Sequence, residues 1–141
     1  MPARDLDALI ALLPQKPPFL FVDHVLAVEP LRQVTGTKTF PPGDPIFRNH
    51  LPGEPLVPGV IIIEALAQLA GLALVAEDER PMRGYLGEVT RMRFHRPVHP
   101  GEEIRLHVEM EQAFGPFARF AARAAVGEDL VAEGALVLAR R

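Results

Sequence analysis

The residues able to do chemistry lie in one stretch, Asn49 to Gly71, which reads NHLPGEPLVPGVIIIEALAQLAG. His50 sits in a loop punctuated by proline and glycine, and the loop runs straight into an almost wholly apolar segment. Between Val60 and Ala76 only Glu64 and Gln68 carry hydrogen-bonding side chains. They are four residues apart, so on a helix they share one face. A carboxylate among apolar neighbours costs several kcal/mol unless it is paired or has a task. Glu64 is therefore the most expensive residue in the chain.

Missing residue types narrow the chemistry. The chain has no cysteine, which removes disulfides, zinc–thiolate sites, iron–sulfur clusters and thiol nucleophiles. It has no serine, which removes the Ser-His-Asp hydrolases. Lysine occurs only at Lys16 and Lys38, leaving few candidates for a Schiff base. What remains is acid–base chemistry by His, Asp and Glu, or chemistry done by something bound. His95, His99 and His107 do not suggest a metal site, because Pro97 separates the first two and the third lies on another segment. Arg91, Arg93 and Arg96 fit either a solvated strand face or a row that steers an acidic partner.

The rest of the 141 residues must position these groups in one domain. The net charge of −3 argues against a nucleic-acid partner. No basic, apolar leader opens the chain, so a cytoplasmic location is expected. Val60 to Ala76 is short for a membrane span and contains Glu64 and Gln68, so a buried core helix is the better reading.

Asp5 to Leu13 reads as a short amphipathic helix capped by Asp5 and stopped by Pro14. Phe19 to Val28 and Gln33 to Phe40 read as strands. Pro41 to Pro58, with six prolines, reads as a long ordered loop. Pro58 suits the start of the helix that follows. Glu77 to Arg83 is a polar connection. Strand signals then recur at Gly84 to Val89, Arg91 to Val98, Glu103 to Glu111, Phe117 to Val126 and Leu130 to Ala139. A single helix that is apolar nearly all round must be surrounded. A curved antiparallel sheet wrapped around it, with a second subunit covering the remainder, is the economical solution.

These segments resemble the 3-hydroxyacyl-acyl-carrier-protein dehydratases of bacterial fatty-acid synthesis. HLPGEPLVPGVIIIEALAQ carries the resemblance through His50, Pro52, Gly53, Pro55, Pro58, Gly59, Glu64 and Gln68. LPQKPPFLFVDHV, RFHRPVHPGEEI and LVAEGALVLA agree in the same order along the chain. The resemblance implies an α+β hot-dog fold over residues 1–141, with five to six antiparallel strands around one long central helix. It implies no cofactor and no metal. It implies that (3R)-3-hydroxyacyl chains on acyl carrier protein lose water to give trans-2-enoyl products.

Within that resemblance His50 and Glu64 form the catalytic pair, Gly59 supplies backbone N–H groups to the thioester oxygen, and Gln68 orients the Glu64 carboxyl. A row of Arg91, Arg93 and Arg96 is then placed to meet the carrier protein. A homodimer, assembled as a trimer of dimers, is implied as well. Helix geometry adds its own argument. Gly59 and Glu64 are five positions apart, about 500° of rotation or roughly 140° round the axis. One helix does not easily aim both at one carbon, so His50 and Gly59 of one subunit are expected to meet Glu64 of another.

Two departures from the family pattern stand out. Leu51 replaces the usual phenylalanine, which alters packing without removing a chemical group. Pro14, Gln15 and Lys16 stand where Pro-His-Arg is usual, so whatever that histidine does is not carried over. Three other readings remain at this point. A hot-dog thioesterase would use the helix carboxylate but lacks the His-loop-Pro-Gly segment. A non-catalytic acyl-binding subunit would have no need of both His50 and Glu64. A dehydratase-isomerase would be expected to carry Asp at position 64. Chain length, and a role in general fatty-acid or lipid A supply, depend on packing the sequence does not display.

Overall fold

The computed structural model describes residues 5–48, 53–81 and 83–140. Among them, six strands form one antiparallel sheet around a single α-helix, the expected α+β hot-dog arrangement. The strands are β1 (His24–Glu29), β2 (Gln33–Thr39), β3 (Gly84–Phe94), β4 (Glu103–Phe114), β5 (Phe117–Val126) and β6 (Asp129–Arg140). Their order across the sheet is β1-β2-β4-β5-β6-β3, which leaves β1 and β3 at the edges.

Helix α1 (Gly59–Val75) packs against β2, β3, β4, β5 and β6. Its sequence is rich in Ala and Leu, good helix formers, and its β-branched residues are kept to the two ends, Val60 to Ile63 in the first turns and Val75 at the last position. From Ala65 to Val75 every residue is buried. Deleting one of these side chains, as in Leu69→Ala, is expected to cost ~2–5 kcal/mol through lost burial and a residual cavity. Helix and sheet approach closely where Gly36 of β2 faces Leu69. A Cβ on Gly36 would lie 2.8 Å from the Leu69 side chain and 2.7 Å from a backbone oxygen, so no larger residue fits.

Strand alternation shows best in β4, where Ile104, Leu106 and Val108 are buried and Arg105 and Glu109 face outward. Three expectations need correction. The strand expected from Phe19 starts only at His24, because the backbone at Phe19 and Phe21 bonds to the Gln68 side chain instead of a neighbouring strand. The two strands expected on either side of Thr90 are one, β3; Gly87 does not end it but sits in a register slip between Leu86 and Glu88. A second slip, between Thr90 and Arg93, places Arg91 at φ 53°. Finally, the amphipathic segment after Asp5 is a 3-10 helix, Leu6–Leu12, capped as expected by the Asp5 carboxylate.

Candidate active site

Gln68 is 2% exposed and all its amide hydrogens are engaged. Its Nε2 donates to the Phe19 carbonyl at 3.0 Å and to Glu64 Oε2 at 2.8 Å. Its Oε1 accepts from the Phe21 N–H at 2.8 Å. One side chain thus pins the segment before β1 to α1 and fixes the carboxyl one helical turn away. A buried amide with its groups satisfied is a stiff support, because releasing any partner leaves a desolvated polar group behind.

Glu64 itself is half-buried. Burial among apolar residues pushes its carboxyl above the ordinary glutamate range, and the Gln68 hydrogen bond opposes this only in part. Among the described residues no Lys, Arg or His pairs with it. A carboxyl shifted upward without a countercharge is suited to hold a proton and release it to a departing group.

The start of α1 offers the complementary feature. Pro58 occupies the N-cap and provides no side-chain acceptor, and the first capping bonds run from Ile61 and Ile62 to the Pro58 carbonyl. The Gly59 and Val60 N–H groups have no partner among the described residues and stand at the positive end of the helix dipole. A Cβ on Gly59 would lie 3.0 Å from the Phe94 ring, so glycine lets β3 and the helix start come together. Val60, 71% exposed, flanks this end.

A cavity of about 40 Å³ opens beside Glu64. Gln68, Ala67 and Gly71 line it from α1, Tyr85 from β3, Leu138 from β6 and Gln15 from the N-terminal segment. The Gln15 Oε1 is buried there with no hydrogen-bond partner among the described residues. Sequence reasoning missed Gln15 and Tyr85 as site residues. The one signal for Gln15 was its departure from the family's Pro-His-Arg pattern; Tyr85 carried none.

Of the expected site residues, the structure brings together Glu64 and Gln68. His50 and Leu51 lie outside the described residues. Arg91 and Arg93 line a separate outer cleft with His95 and His107. Arg96 is engaged elsewhere, with Nη2 at 2.7 Å from Glu102 Oε2 and Nε at 3.7 Å from Asp129. His95 meets Glu133 at 2.7 Å, and His107 shares a 2.8 Å hydrogen bond with Thr35. No metal-ligating cluster of three or more occurs among the described residues.

Residues 13–135 match the FabA-like domain family. A 3-hydroxyacyl-[acyl-carrier-protein] dehydratase FabZ of Moorella thermoacetica is 42% identical over 136 residues, covering 96% of this chain and 95% of the relative. The FabZ of Pelotomaculum thermopropionicum is 36% identical over 138 residues, covering 97% of this chain and 99% of the relative. Among solved structures, the dehydratase heterocomplex ApeI:P from Xenorhabdus doucetiae superposes with a TM-score of 0.82 at 17% identity, covering 99% of this chain and 93% of that one. The uncharacterized protein PH1136 from Pyrococcus horikoshii gives a TM-score of 0.69 at 15% identity, with coverage of 99% and 93%. At such identities the two structures speak for the fold.

Proposed function

This chain belongs to the FabA-like family of 3-hydroxyacyl-[acyl-carrier-protein] dehydratases, and from that premise we propose how it works. It removes water from (3R)-3-hydroxyacyl chains on acyl carrier protein, giving trans-2-enoyl thioesters in fatty-acid synthesis without a cofactor. The observation that carries the mechanism is the Glu64 carboxyl, raised by burial, bonded to Gln68 and unpaired by any described cation.

The His50 imidazole takes the proton from C2, leaving an enolate whose oxygen gathers the charge. The exposed N–H groups at Gly59 are suited to that oxygen, where a helix terminus favours negative charge. The pair left at C2 then forms the C2=C3 double bond as the C3–O bond breaks; that bond's electrons stay on the oxygen, which takes the proton of the neutral Glu64 and leaves as water. His50 now holds one proton and Glu64 lacks one, so a net transfer between them resets the site. Gln68 keeps the Glu64 carboxyl aimed throughout.

Assembly belongs to the same proposal. Edge strand β3 exposes Tyr85 (56%), Leu86, Val89 and Phe94 beside the exposed Val60 of α1. An unpaired edge lined with large apolar side chains is an interface signature. A homodimer across this edge would bring the helix start of one chain toward the Glu64 of its partner. The family resemblance extends this to three dimers in a hexamer. Arg91 and Arg93 are assigned to the acidic carrier protein. Arg96, already tied to Glu102, braces the β3–β4 connection beside them.

The decisive assay incubates the purified protein with a series of 3-hydroxyacyl carrier proteins and follows loss of water by mass. Enoyl formation supports the reading. Hydrolysis to free acid would replace it with a thioesterase, and binding without turnover would replace it with a non-catalytic subunit.

A further inference from the structure

The Gln15 side chain has no place in the mechanism above, yet it lines the Glu64 cavity and its amide oxygen is buried without a partner among the described residues. An acceptor left buried and unpaired keeps its full desolvation cost, so such a group in a native site calls for a donor. Gln15 and Glu64 both line this one small cavity of about 40 Å³. Of the described residues lining it, from the N-terminal segment, α1, β3 and β6, only Glu64 and Tyr85 are titratable, and none is a cation. Gln68 has no donor to give, because both its amide hydrogens are taken by Phe19 and Glu64. Glu64 Oε2 is occupied by Gln68, and no hydrogen bond reaches Oε1 from the described residues.

We propose that Gln15 is a positioning residue: its buried amide oxygen accepts the hydrogen bond of the Glu64 carboxyl in its neutral form, across the cavity the two share. The proton that leaves with the hydroxyl is thereby held on the oxygen of Glu64 that faces the cavity. Gln68 and Gln15 then act in opposite senses on one carboxyl. Gln68 donates, which favours the ionised form; Gln15 accepts, which favours the neutral one. The pair sets both the direction and the charge of the acid. This inference rests on the dehydratase reading for its consequence in turnover, but not for the pairing itself.

The test titrates Glu64 directly, by ¹³C NMR of labelled glutamate carboxyls, with the Glu64→Gln spectrum assigning the resonance. Gln15→Met keeps the length of the side chain and removes the amide acceptor. Its Glu64 midpoint is expected to fall by about one pH unit, because the neutral form loses its acceptor. In turnover, kcat is expected to drop about tenfold with KM unchanged, and the upper limb of the pH profile to move down with the midpoint. Gln15→His, which restores an acceptor, should recover both. Should Gln15→Met not fold, Gln15→Ala carries the same comparison.

A midpoint that stays put, with or without a loss of thermal stability, overturns the proposal and leaves Gln15 a packing residue. A midpoint that rises overturns it as well, because the amide nitrogen would then be the group facing Glu64. If the midpoint falls but wild type dehydrates no 3-hydroxyacyl thioester, the pairing stands and the dehydratase reading fails.

Discussion

The cavity beside Glu64 measures about 40 Å³, and the cleft on the outer face of the sheet about 530 Å³. The larger space holds far more charge, with Arg91, Arg93, Arg119 and Arg123 set among Glu109, Glu111 and Glu133. Several of its groups answer one another. His95 pairs with Glu133, and Arg119 lies 3.6 Å from Glu111. His107 is pushed below its ordinary range, mainly by burial and then by Arg123, which keeps it neutral and bonded to Thr35. Among the described residues, the small cavity has one ionisable carboxyl, no cation, and an amide framework that holds that carboxyl still. Volume and charge density therefore mark a surface, while desolvation with fixed hydrogen bonds marks a site for proton transfer.

The sharpest way to break this contrast is to remove the two residues proposed to carry the protons. Glu64→Gln and His50→Ala should each lower dehydration by roughly 10²–10⁴-fold in a steady-state assay. Retention of activity within about threefold of wild type by either variant would end its assignment. Gln68→Met comes next. It strands the Phe21 N–H and frees the Glu64 carboxyl, so turnover should fall about 10–100-fold. Unfolding by denaturant should show a loss of ~2–4 kcal/mol, reflecting a buried group left unsatisfied along with the lost bonds. A stable, fully active Gln68→Met protein would show that neither support matters.

The pH dependence of stability sharpens the comparison further. Glu64 has a folded pKa raised above 4.5, so the folded chain keeps this proton to higher pH than the unfolded chain does. Its contribution is therefore full below pH 4.5 and is lost as pH rises through the folded midpoint. Glu64→Gln has no such loss, so its melting temperature should overtake that of wild type between acid and neutral pH. A difference that is flat across that range would mean that Glu64 is not desolvated. The smallest effect concerns the outer cleft. Arg93→Glu should raise KM for the carrier-bound substrate severalfold at low salt, an effect that fades as screening increases. Arg123→Gln, opposite His107 and Glu133 across the neighbouring strands of the cleft, should leave kcat and KM nearly unchanged. A collapse of kcat in Arg123→Gln would move the chemistry to the cleft.

Much of this organisation was legible in the residues. The apolar run broken only by Glu64 and Gln68 is α1, and the alternation from Glu103 onward is β4. The Gly127 turn between β5 and β6, at φ 58°, falls in the gap between the strands expected at Phe117 to Val126 and Leu130 to Ala139. What escaped depends on contacts between distant parts of the chain. Phe19 to Phe21 has strand-forming residues, but its backbone is claimed by Gln68, 47 positions beyond Phe21. The slips in β3 shift the phase of alternation, so one strand reads as two. Arg96 continues an outward row in sequence, yet Glu102 and Asp129 hold it in place. Gln15 looks like an ordinary loop amide until the fold buries its oxygen beside Glu64.

The central claim is that each proton-transfer site takes His50 from one chain and Glu64 from its partner. Mixing His50→Ala with Glu64→Gln, and confirming subunit exchange by native mass spectrometry, tests it most directly. At equal amounts, random exchange makes about half the dimers mixed, and in each of those one site has both residues and the other neither, because the interface is two-fold symmetric. Restoration of roughly a quarter of wild-type activity is the expected result, with sites acting independently. If exchange is complete and activity stays absent, both residues serve the substrate from one chain and the shared site is wrong.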